Sequence, residues 1–186
     1  MTNRRSVPDV TGPPAGEVAV LLGVQSRLSA PPVVAAARAM SHFGEHAAGW
    51  LGISMVGALL VPGRRREWLL VGAGSVAAHA VSILIKLAVR RRRPHHPDIA
   101  VKVGTPSSLS FPSAHATSTT AAAMLLCRAT RSPLPLALVP VMAVSRLVLG
   151  VHYPTDVLAG IAVGAAVAGT AVHLVGPHKE TPSERI

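Results

Sequence analysis

The amino-acid sequence predicts an all-α fold: an integral membrane bundle of about five spanning helices, preceded by short helices at the membrane interface. Hydrophobic residues make up 49% of the 186 positions, whereas aromatic residues make up only 3%. Apolar segments rich in Ala, Val and Leu favour helices that pack closely in lipid over a dense aromatic core. Several of these segments approach the roughly 20 apolar residues that a helix needs to cross a bilayer, and clusters of arginine lie at the breaks between them.

The N-terminal part is less continuously apolar than the rest of the chain. We expect a disordered, proline-containing lead over residues 1–16. Residues 17–42 are predicted to form one or two amphipathic helices at the interface, because polar and helix-breaking residues interrupt their apolar pattern. The interrupting residues are Gln25, Arg27, Pro31, Pro32 and Arg38. The transmembrane domain is expected over residues 43–176, followed by a polar tail at 177–186.

Five apolar segments predict the spanning helices. They occupy residues 47–61, 67–89, 113–127, 133–149 and 156–175. Successive spans cross in opposite directions, so the breaks between them alternate between the two membrane faces. The breaks at 90–112 and 150–155 therefore share one face, and those at 62–66 and 128–132 share the other with the C-terminal tail. Polar motifs in or beside the first pair of breaks are expected to meet.

The strongly basic composition narrows the classes of partner. The chain has 18 Lys and Arg against 8 Asp and Glu, a formal net charge of +10. Such a balance suits nucleic acid, anionic lipid or a phosphorylated substrate. Single-stranded nucleic acid is bound on aromatic platforms, and aromatic residues are scarce here. We therefore expect membrane lipids and a lipid-linked phosphate as partners and no nucleic acid; the sequence does not specify an oligomeric state.

The first polar motif is Lys86 followed by Arg93-Pro94. Lys86 falls near the end of a predicted span, where a cation is costly unless it is paired or faces water. Arg93 follows seven residues later, close to two helical turns, so both side chains lie on one face if the helix persists. Two cations on one face suit a multiply charged phosphate, to which arginine offers two parallel donors. The intervening Arg90 to Arg92 are interpreted as a basic flank that holds the helix end at the interface.

The second motif is Pro112-Ser113-Ala114-His115. Proline and serine are typical of a helix start, where free backbone N–H groups and the positive helix end favour an anion. His115 then falls in the first turn of the helix, beside the same anion. A histidine at a helix start is weak evidence alone, and it gains weight from the other two motifs.

The third motif contains Arg146, His152 and Asp156. On a continuous helix, Arg146 and His152 would be rotated by about 600° and would point apart. Gly150 and Pro154 predict a break that lets them converge. Asp156 follows His152 by four residues, a spacing that allows a carboxylate to hold one imidazole nitrogen while the other serves as nucleophile or base. A helix-capping aspartate is the alternative interpretation.

Together the motifs resemble the signature of the type 2 phosphatidic acid phosphatase superfamily, membrane lipid phosphatases that share a pocket with vanadium haloperoxidases. The family pattern is Lys-x6-Arg-Pro, then Pro-Ser-x-His, then Ser-Arg-x5-His-x3-Asp. The matching positions are Lys86, Arg93, Pro94, Pro112, Ser113, His115, Ser145, Arg146, His152 and Asp156. Many relatives have glycine at the position of Ala114, which bears on how closely the backbone approaches phosphate. The resemblance covers residues 42–175.

The resemblance implies a phosphatase that uses no metal or other cofactor. In the implied mechanism, His152 attacks phosphorus with Asp156 orienting its ring, and His115 protonates the leaving oxygen and then activates water. The implied phosphate-binding residues are Lys86, Arg93, Ser113, Ala114 and Arg146. Phosphoryl transfer depends mainly on positioning and charge stabilisation, which three cations and a helix end supply.

Within the superfamily, the chain resembles a small actinobacterial branch that includes decaprenylphosphoryl-5-phosphoribose phosphatases of cell-wall precursor synthesis. The stretches that carry this likeness are 40–46, 93–97 and 111–123. Polyprenyl diphosphate, phosphatidic acid and phosphatidylglycerophosphate present similar terminal phosphates and stay open as alternative substrates. A phosphate-lipid binding or transport protein is the non-enzymatic alternative.

Nine histidines raise the alternative of a metal site. Among the carboxylates, only Asp98 and Asp156 lie near the motifs, and closely placed cations repel a divalent ion, so no metal is expected. Histidines outside the motifs are interpreted as packing or interfacial residues; these are His42, His46, His79 and His173. Arginines at 64–66, 128 and 131 favour a cytoplasmic location for those breaks, which places the site on the outer face of the cell membrane.

Overall fold

All regular elements of the computed structural model, which describes residues 16–176, are helices. They are α1 (Gly16–Leu28), α2 (Pro31–Gly44), α3 (Ala48–Leu60), α4 (Arg65–Val89), α5 (Ala114–Thr130), α6 (Leu138–Val148) and α7 (Pro154–Val175). Short 3₁₀ turns precede α3, α4 and α6. Extended pairing in residues 16–176 is limited to one isolated bridge between Arg92 and Leu109, so the all-α prediction is confirmed. The predicted tail at 177–186 and nearly all of the predicted lead at 1–16 lie outside the described residues.

The helices follow the five predicted spans in order, but only some are long enough to cross a bilayer alone. Pro62–Val89, which contains α4, and α7 meet the requirements of length and apolar composition. The pair Gly16–Leu28 and Pro31–Leu60 meets them only together, across a bend of 118°. By these measures the described chain has two or three spans where five were predicted. The shorter α5 and α6, of 17 and 11 residues, fall short because a helix rises about 1.5 Å per residue against a hydrocarbon core of about 30 Å.

Helix α5 lies at the centre of the bundle between α4 and α7. Every residue of Ala116–Ala123 is buried, and the small Ala, Ser and Thr side chains let neighbouring backbones approach closely. Glycines of α7 complete the contact: a Cβ at Gly164 would lie 2.3 Å from the Thr117 carbonyl oxygen, and one at Gly160 would lie 2.7 Å from that of Ser113. This packing holds the first turns of α5 and α7 together, where the second and third motifs lie.

One end of the bundle, formed by residues 62–67, 128–131 and the end of α7, is termed the arginine end. Arg64 donates from Nη1 and Nη2 to the carbonyl oxygens of Ala129 and Arg128, at 2.7 and 3.2 Å. Arg128 pairs with the buried Glu67 and also donates to the carbonyl oxygen of Gly176. These contacts bring together the breaks that the alternation of spans assigns to one face.

The opposite end, formed by residues 90–113 and 149–156, is termed the motif end. The Ser113 N–H donates to the carbonyl oxygen of Asp156 at 2.9 Å, which joins the starts of α5 and α7. The Lys102 N–H donates to the carbonyl oxygen of Leu149 at 3.0 Å, which ties the long loop to the end of α6. All three sequence motifs therefore lie at one end of the bundle.

Helices α1 and α2 cover the motif end. Gln25 of α1 is buried and donates from Nε2 to the carbonyl oxygens of Ala100 and Val148, at 2.8 and 3.1 Å. Arg38 of α2 donates from Nε to the carbonyl oxygen of Lys102 at 2.9 Å. Residues 17–42 form two helices with a break at 29–30, and they contribute directly to the walls of the motif end. Their location at the membrane interface stays a prediction.

Candidate active site

A cavity of about 440 Å³ lies at the motif end, and residues of all three motifs line it. The lining includes Lys86, Arg93, Ala114, His115, Arg146 and His152. They come from α4, the loop after it, the start of α5, the end of α6 and the loop before α7. Chain segments far apart in sequence are thus brought to one small volume.

Lys86 is buried in the last turn of α4 and holds the loop that leads into α5. Its Nζ donates to the carbonyl oxygens of Pro112, Ser110 and Leu109, at 2.6, 3.1 and 3.4 Å. An ammonium group has three hydrogens, so neutral carbonyl groups use all of them in this conformation. Lys86 therefore brings a positive charge to the cavity wall and fixes the backbone before α5.

Arg93 reaches the cavity from a loop, because α4 does not persist to this position. The helix ends at Val89, and Arg90 takes up the left-handed conformation typical of a helix C-terminus, with φ of 55°. Arg93 donates from Nε to the Ser107 carbonyl oxygen at 2.8 Å and from Nη1 to that of Val151 at 2.7 Å. Burial lowers the pKa of Arg93 to about 10, so the guanidinium remains charged at neutral pH.

Arg146 is the most deeply buried of the three cations, with 1% of its surface exposed. Its partners are the hydroxyl groups of Ser145 and Ser41, each at 3.1 Å, and the carbonyl oxygen of Ala37 at 3.4 Å. All are neutral, and burying a charge without a charged partner is costly. A bound anion in the adjoining cavity would offset that cost.

His152 and Asp156 are adjacent and both fully enclosed. His152 is 2% exposed and Asp156 is 0% exposed. Asp156 Oδ2 lies 3.6 Å from His152 Nδ1, longer than a hydrogen bond, and accepts from the Tyr153 N–H at 2.8 Å. The carboxylate thus caps α7 and also faces the imidazole. The capping interpretation and the pairing with His152 are therefore compatible.

The tautomer of His152 follows from its neighbours. Its Nε2 lies 3.2 Å from Nη1 of Arg93, and because a guanidinium only donates, Nε2 carries the lone pair. Nδ1 then carries the hydrogen and faces Asp156. Burial, with the neighbouring charges of Arg93 and Lys86, lowers the pKa of His152 to about 3. The ring is therefore neutral at physiological pH, with an unprotonated Nε2 at the cavity wall.

His115 is held on the other part of the cavity wall by the end of α2. Its Nε2 lies 2.9 Å from the Ser41 carbonyl oxygen, which only accepts, so Nε2 carries a hydrogen. Gly44 leaves room for the ring, since a Cβ there would lie 2.7 Å from His115 Cδ2. Two imidazoles of different local chemistry, a proton donor and a lone-pair nitrogen, therefore line the same cavity.

The sequence profile described as the PAP2 superfamily matches residues 67–180, more than half of the chain and all three motifs. The chain belongs to the PAP2 superfamily. Its curated relatives include proteins named decaprenylphosphoryl-5-phosphoribose phosphatase. That of Mycobacterium tuberculosis is 59% identical over 173 residues, which are 92% of this chain and 97% of the relative. That of Mycolicibacterium smegmatis is 64% identical over 148 residues, 79% of this chain and 82% of the relative.

A solved structure shares the fold of this PAP2 protein. The transmembrane PAP2-type phosphatidylglycerolphosphate phosphatase from Bacillus subtilis matches with a TM-score of 0.69 and 19% sequence identity. The match covers 84% of this chain and 85% of that chain. The likeness shows that this membrane protein has the helical architecture of a PAP2 membrane phosphatase.

Two of the predicted catalytic and phosphate-binding residues do not line the cavity of this PAP2 protein. Ser113 is buried and caps α5, its Oγ accepting from the Ala116 N–H at 3.4 Å, while the adjacent Ala114 faces the cavity. Asp156 lies behind His152 and contacts it there. Direct binding of phosphate by Ser113 stays a prediction.

The structure adds residues that the sequence motifs did not identify. Ser41 and Ala37 of α2 hold His115 and Arg146, and Arg91 Nη1 bonds to Asp156 Oδ1 at 2.9 Å. Arg91 belongs to a run of four arginines, in which no local pattern distinguishes an inward side chain from an interfacial flank. Ser41 lies just before a His-Phe-Gly-Glu-His stretch, and its carbonyl oxygen contacts His115, 74 positions later in the chain. The local sequence around Ser41 does not show this contact.

The residues of the described chain do not form an obvious metal centre. Over positions 16–176, no group of three or more His, Cys, Asp or Glu side chains is placed to hold an ion. The cations Lys86, Arg93 and Arg146 line the same cavity as the two imidazoles, which suits an anionic ligand.

Proposed function

We propose that this PAP2 protein is a lipid phosphate phosphatase that hydrolyses a terminal phosphate monoester of a lipid-linked substrate. The observation that carries the proposal is the charge of its cavity. Lys86, Arg93 and Arg146 are held by neutral carbonyl and hydroxyl groups, so the positive charge is not neutralised locally. A phosphate dianion supplies the missing negative charge, and arginine is suited to bind it through parallel N–H donors.

In the first step of the proposed reaction, His152 Nε2 forms a bond to phosphorus as the bond from phosphorus to the ester oxygen breaks. The product is a phosphohistidine, and Asp156 stabilises the positive charge that develops on the ring. His115 enters this step as the imidazolium ion, which a bound phosphate dianion favours; it delivers one proton to the leaving oxygen and becomes neutral, so the lipid departs as an alcohol. The three cations stabilise the charge on the transferring phosphoryl oxygens.

In the second step, water attacks the phosphorus of the phosphohistidine. His115, which lost a proton in the first step, takes one from the water. The nitrogen–phosphorus bond breaks, inorganic phosphate is released, and His152 returns to its neutral form. The cycle therefore balances with water as its co-reactant.

We propose decaprenylphosphoryl-5-phosphoribose, or a closely similar polyprenyl-linked pentose phosphate, as the substrate. The support is the name carried by relatives that are 59% and 64% identical to this chain. Polyprenyl diphosphate, phosphatidic acid and phosphatidylglycerophosphate are the alternatives, since each presents a terminal phosphate to the same cations.

The proposed enzyme is a multi-pass protein of the cell membrane with about five membrane-crossing segments and an outward-facing site. The first two helices lie at the interface, and residues 43–176 form the transmembrane domain. Arginines 64–66, 128 and 131 at the arginine end support this orientation, because basic loops are retained on the cytoplasmic side. At the motif end, Arg93 instead lines the cavity and Arg91 is bonded to Asp156.

Phosphate release by the purified full-length protein in detergent tests the proposal. The panel consists of decaprenylphosphoryl-5-phosphoribose and the three alternative lipids, each assayed with and without a chelator. We expect the highest kcat/KM with the pentose phosphate lipid and no loss with chelator. A faster reaction with another lipid would replace the substrate assignment. Binding of the lipids without release would favour a carrier over an enzyme.

A further inference from the structure

The cavity extends beyond the groups that the proposed phosphoryl transfer uses. The additional wall includes Glu45, His46 and His79. His79 precedes Lys86 by seven residues on α4, which places it about 10 Å deeper along the helix and close to the same face. The space that begins at the phosphate-binding cations therefore continues toward the middle of α4, in the direction that a lipid chain must take.

The turn between α2 and α3 has an unusual backbone at this wall. His46 and Ala47 adopt left-handed conformations, with φ of 50° and 59°. Residues with a side chain rarely adopt this conformation, and two in succession are rarer. The turn places the His46 ring with its centroid 5.8 Å from that of His79. Strained backbone of this kind is found at ligand-binding sites, where the surrounding structure holds it in place.

His79 also carries a buried polar atom without a partner. Its Nδ1 is inaccessible and makes no hydrogen bond to any residue that the structure describes. Buried polar groups are nearly always hydrogen-bonded in folded proteins. On the same helix, Ile83 and Leu87 line the cavity with 43% and 62% of their surface exposed. The polar side chains of Glu45, His46 and His79 thus line the cavity next to apolar ones, beyond the phosphate site.

We infer that Glu45, His46 and His79 form a polar subsite for the hydroxyl groups of the pentose that joins the cleaved phosphate to the lipid. The inference rests on the proposed function. Sugar hydroxyls both donate and accept, so they match a carboxylate and two imidazoles. The ester carbonyls of phosphatidic acid only accept, so they can pair with neither the Glu45 carboxylate nor a lone-pair nitrogen of the two imidazoles. The subsite therefore selects a sugar-bearing substrate over a diacylglycerol phosphate.

The test compares two substrates with His79→Leu and His79→Gln. One substrate is decaprenylphosphoryl-5-phosphoribose, and the other is dodecyl phosphate, which has a terminal phosphate but no sugar. We expect His79→Leu to lower kcat/KM for the pentose substrate at least about tenfold more than for dodecyl phosphate, because a buried hydrogen-bonding group is lost. His79→Gln, which keeps a polar side chain, should recover part of the difference. His173→Leu in the last turn of α7 is the matched control.

Equal losses with both substrates in the two His79 variants would overturn the subsite, and so would no loss with either. A wild-type enzyme that hydrolyses dodecyl phosphate but does not favour the pentose lipid would also refute the subsite and would leave the phosphatase proposal standing. A wild-type protein that releases phosphate from neither substrate would refute both proposals. The two failures are therefore distinguishable.

Independently of this subsite, Arg91 makes a set of contacts to the buried carboxylate of the third motif. Its Nη1 donates to Asp156 Oδ1 at 2.9 Å and to Thr155 Oγ1 at 2.7 Å. Its guanidinium lies 4.2 Å above the ring centroid of Tyr153. Arg91 is therefore held over the first turn of α7 by Tyr153, Thr155 and Asp156.

Glu17 of α1 fixes the other side of Arg91. Its Oε2 accepts from Arg91 Nη2 at 2.5 Å, and its Oε1 accepts from the N–H and hydroxyl of Thr155, at 2.9 and 2.6 Å. A continuous chain of contacts thus runs from α1 through Arg91 and Asp156 to His152. Groups that orient a catalytic side chain through such contacts commonly affect its reactivity without touching the substrate.

The geometry points to Arg91 as a positioning residue that sets the orientation of Asp156 toward His152, with Glu17 holding Arg91 in place. The guanidinium engages Oδ1, so Oδ2 is left to face His152 Nδ1. The N-terminal helix, which lies outside the three motifs, is by this route part of the catalytic arrangement.

Arg91→Met and Arg91→Lys test this role, with Arg92→Met as the matched control on an exposed neighbour. We expect Arg91→Met to lower kcat about tenfold with little change in KM, as removal of an outer orienting partner does. Its acid limb in the pH profile should move to higher pH, because Asp156, no longer paired with Arg91, stabilises a protonated His152 more strongly. Arg91→Lys should recover part of the rate. A rise in KM alone, or an unchanged pH profile, would overturn the assignment.

Discussion

The arginines at the two ends of the helical bundle have different kinds of partners. At the arginine end, Arg128 forms a two-point pair with Glu67, at 2.5 and 3.1 Å. Arg64 donates to carbonyl oxygens at the end of α5, where the helix dipole is negative. At the motif end, Arg146 is buried more deeply than either and has only neutral partners.

The difference in partners separates arginines that stabilise the fold from the arginine that we propose to bind a ligand. A paired or helix-capping arginine lowers the free energy of the folded chain without an additional partner. A buried arginine among hydroxyl and carbonyl groups keeps most of its charge available, and the cavity beside it gives access to an anion. The same residue type therefore stabilises the bundle at one end and, in the proposed function, binds phosphate at the other.

The largest effect is expected from loss of the proposed nucleophile. His152→Ala should reduce phosphate release at least about 10³-fold, as removal of a covalent catalytic group does. His173→Ala, at the arginine end of α7, should keep the wild-type rate. Phosphate assays with circular dichroism of the purified proteins measure both. Normal turnover by the folded His152 variant would exclude the phosphohistidine.

Exchanging one arginine at each end tests the comparison directly. Arg146→Met should lower kcat/KM about 10²-fold by removing a group that stabilises phosphoryl charge. Arg128→Met should instead destabilise the fold by about 3 kcal/mol, because the buried Glu67 carboxylate loses its two-point pair with Arg128, while the folded fraction keeps its activity. Thermal unfolding in detergent and assays on the folded protein separate the effects. A reversed pattern would contradict the assignment of the two ends.

Binding of the phosphate analogue vanadate gives a second test of the difference between the two ends. Vanadate should inhibit competitively and raise the Tm of the wild-type protein. A ligand that binds only the folded state raises the free energy of unfolding, by about 2.7 kcal/mol at a hundredfold excess over Kd. The shift should disappear in Arg146→Met and persist in Arg131→Met, which changes a residue at the arginine end. A shift of equal size in both variants would show that vanadate binds elsewhere.

The smallest effect concerns pH. Burial lowers the pKa of His152 to about 3, from an ordinary value of 6.5. Between these values the unfolded chain binds a proton at this residue that the folded chain does not, so folded stability falls as pH decreases through this window. His152→Asn should lose less stability than wild type between about pH 7 and pH 5 when thermal unfolding is followed. Identical slopes would contradict a neutral, buried imidazole.

Several features of this protein were predictable because they depend on local sequence. Gly150 and Pro154 predict the break that brings the third motif to the cavity, and the chain does leave α6 there, with Gly150 at φ of 70°. Ser113 predicts the start of α5 and caps it. The condition stated for Lys86 and Arg93, that the helix persists between them, is not met, since α4 ends four residues before Arg93 and the side chain reaches the cavity from a loop.

Features that depend on contacts between distant segments were not predictable. Apolar segments of the sequence predicted five spans. Over residues 16–176, the structure has two helices of sufficient length and composition, or three spans if the bent helix pair counts as one. Hydropathy along the sequence does not show where a helix bends or ends. The role of α2 in holding His115 and Arg146 depends on Ser41, which no motif includes. Arg91 and Arg92 are adjacent and chemically identical, yet only the fold turns the first toward Asp156.

By itself, the sequence determined the chemistry of the site: two imidazoles, a carboxylate and three cations, spaced so that alternating apolar helices bring them to one end. This holds because residue type and helical alternation are properties of the chain. Tertiary structure decided which nitrogen of each imidazole carries the hydrogen, which arginine orients the carboxylate, and how far the cavity continues along α4. Those depend on burial and on partners up to 138 positions apart, and no local pattern contains them.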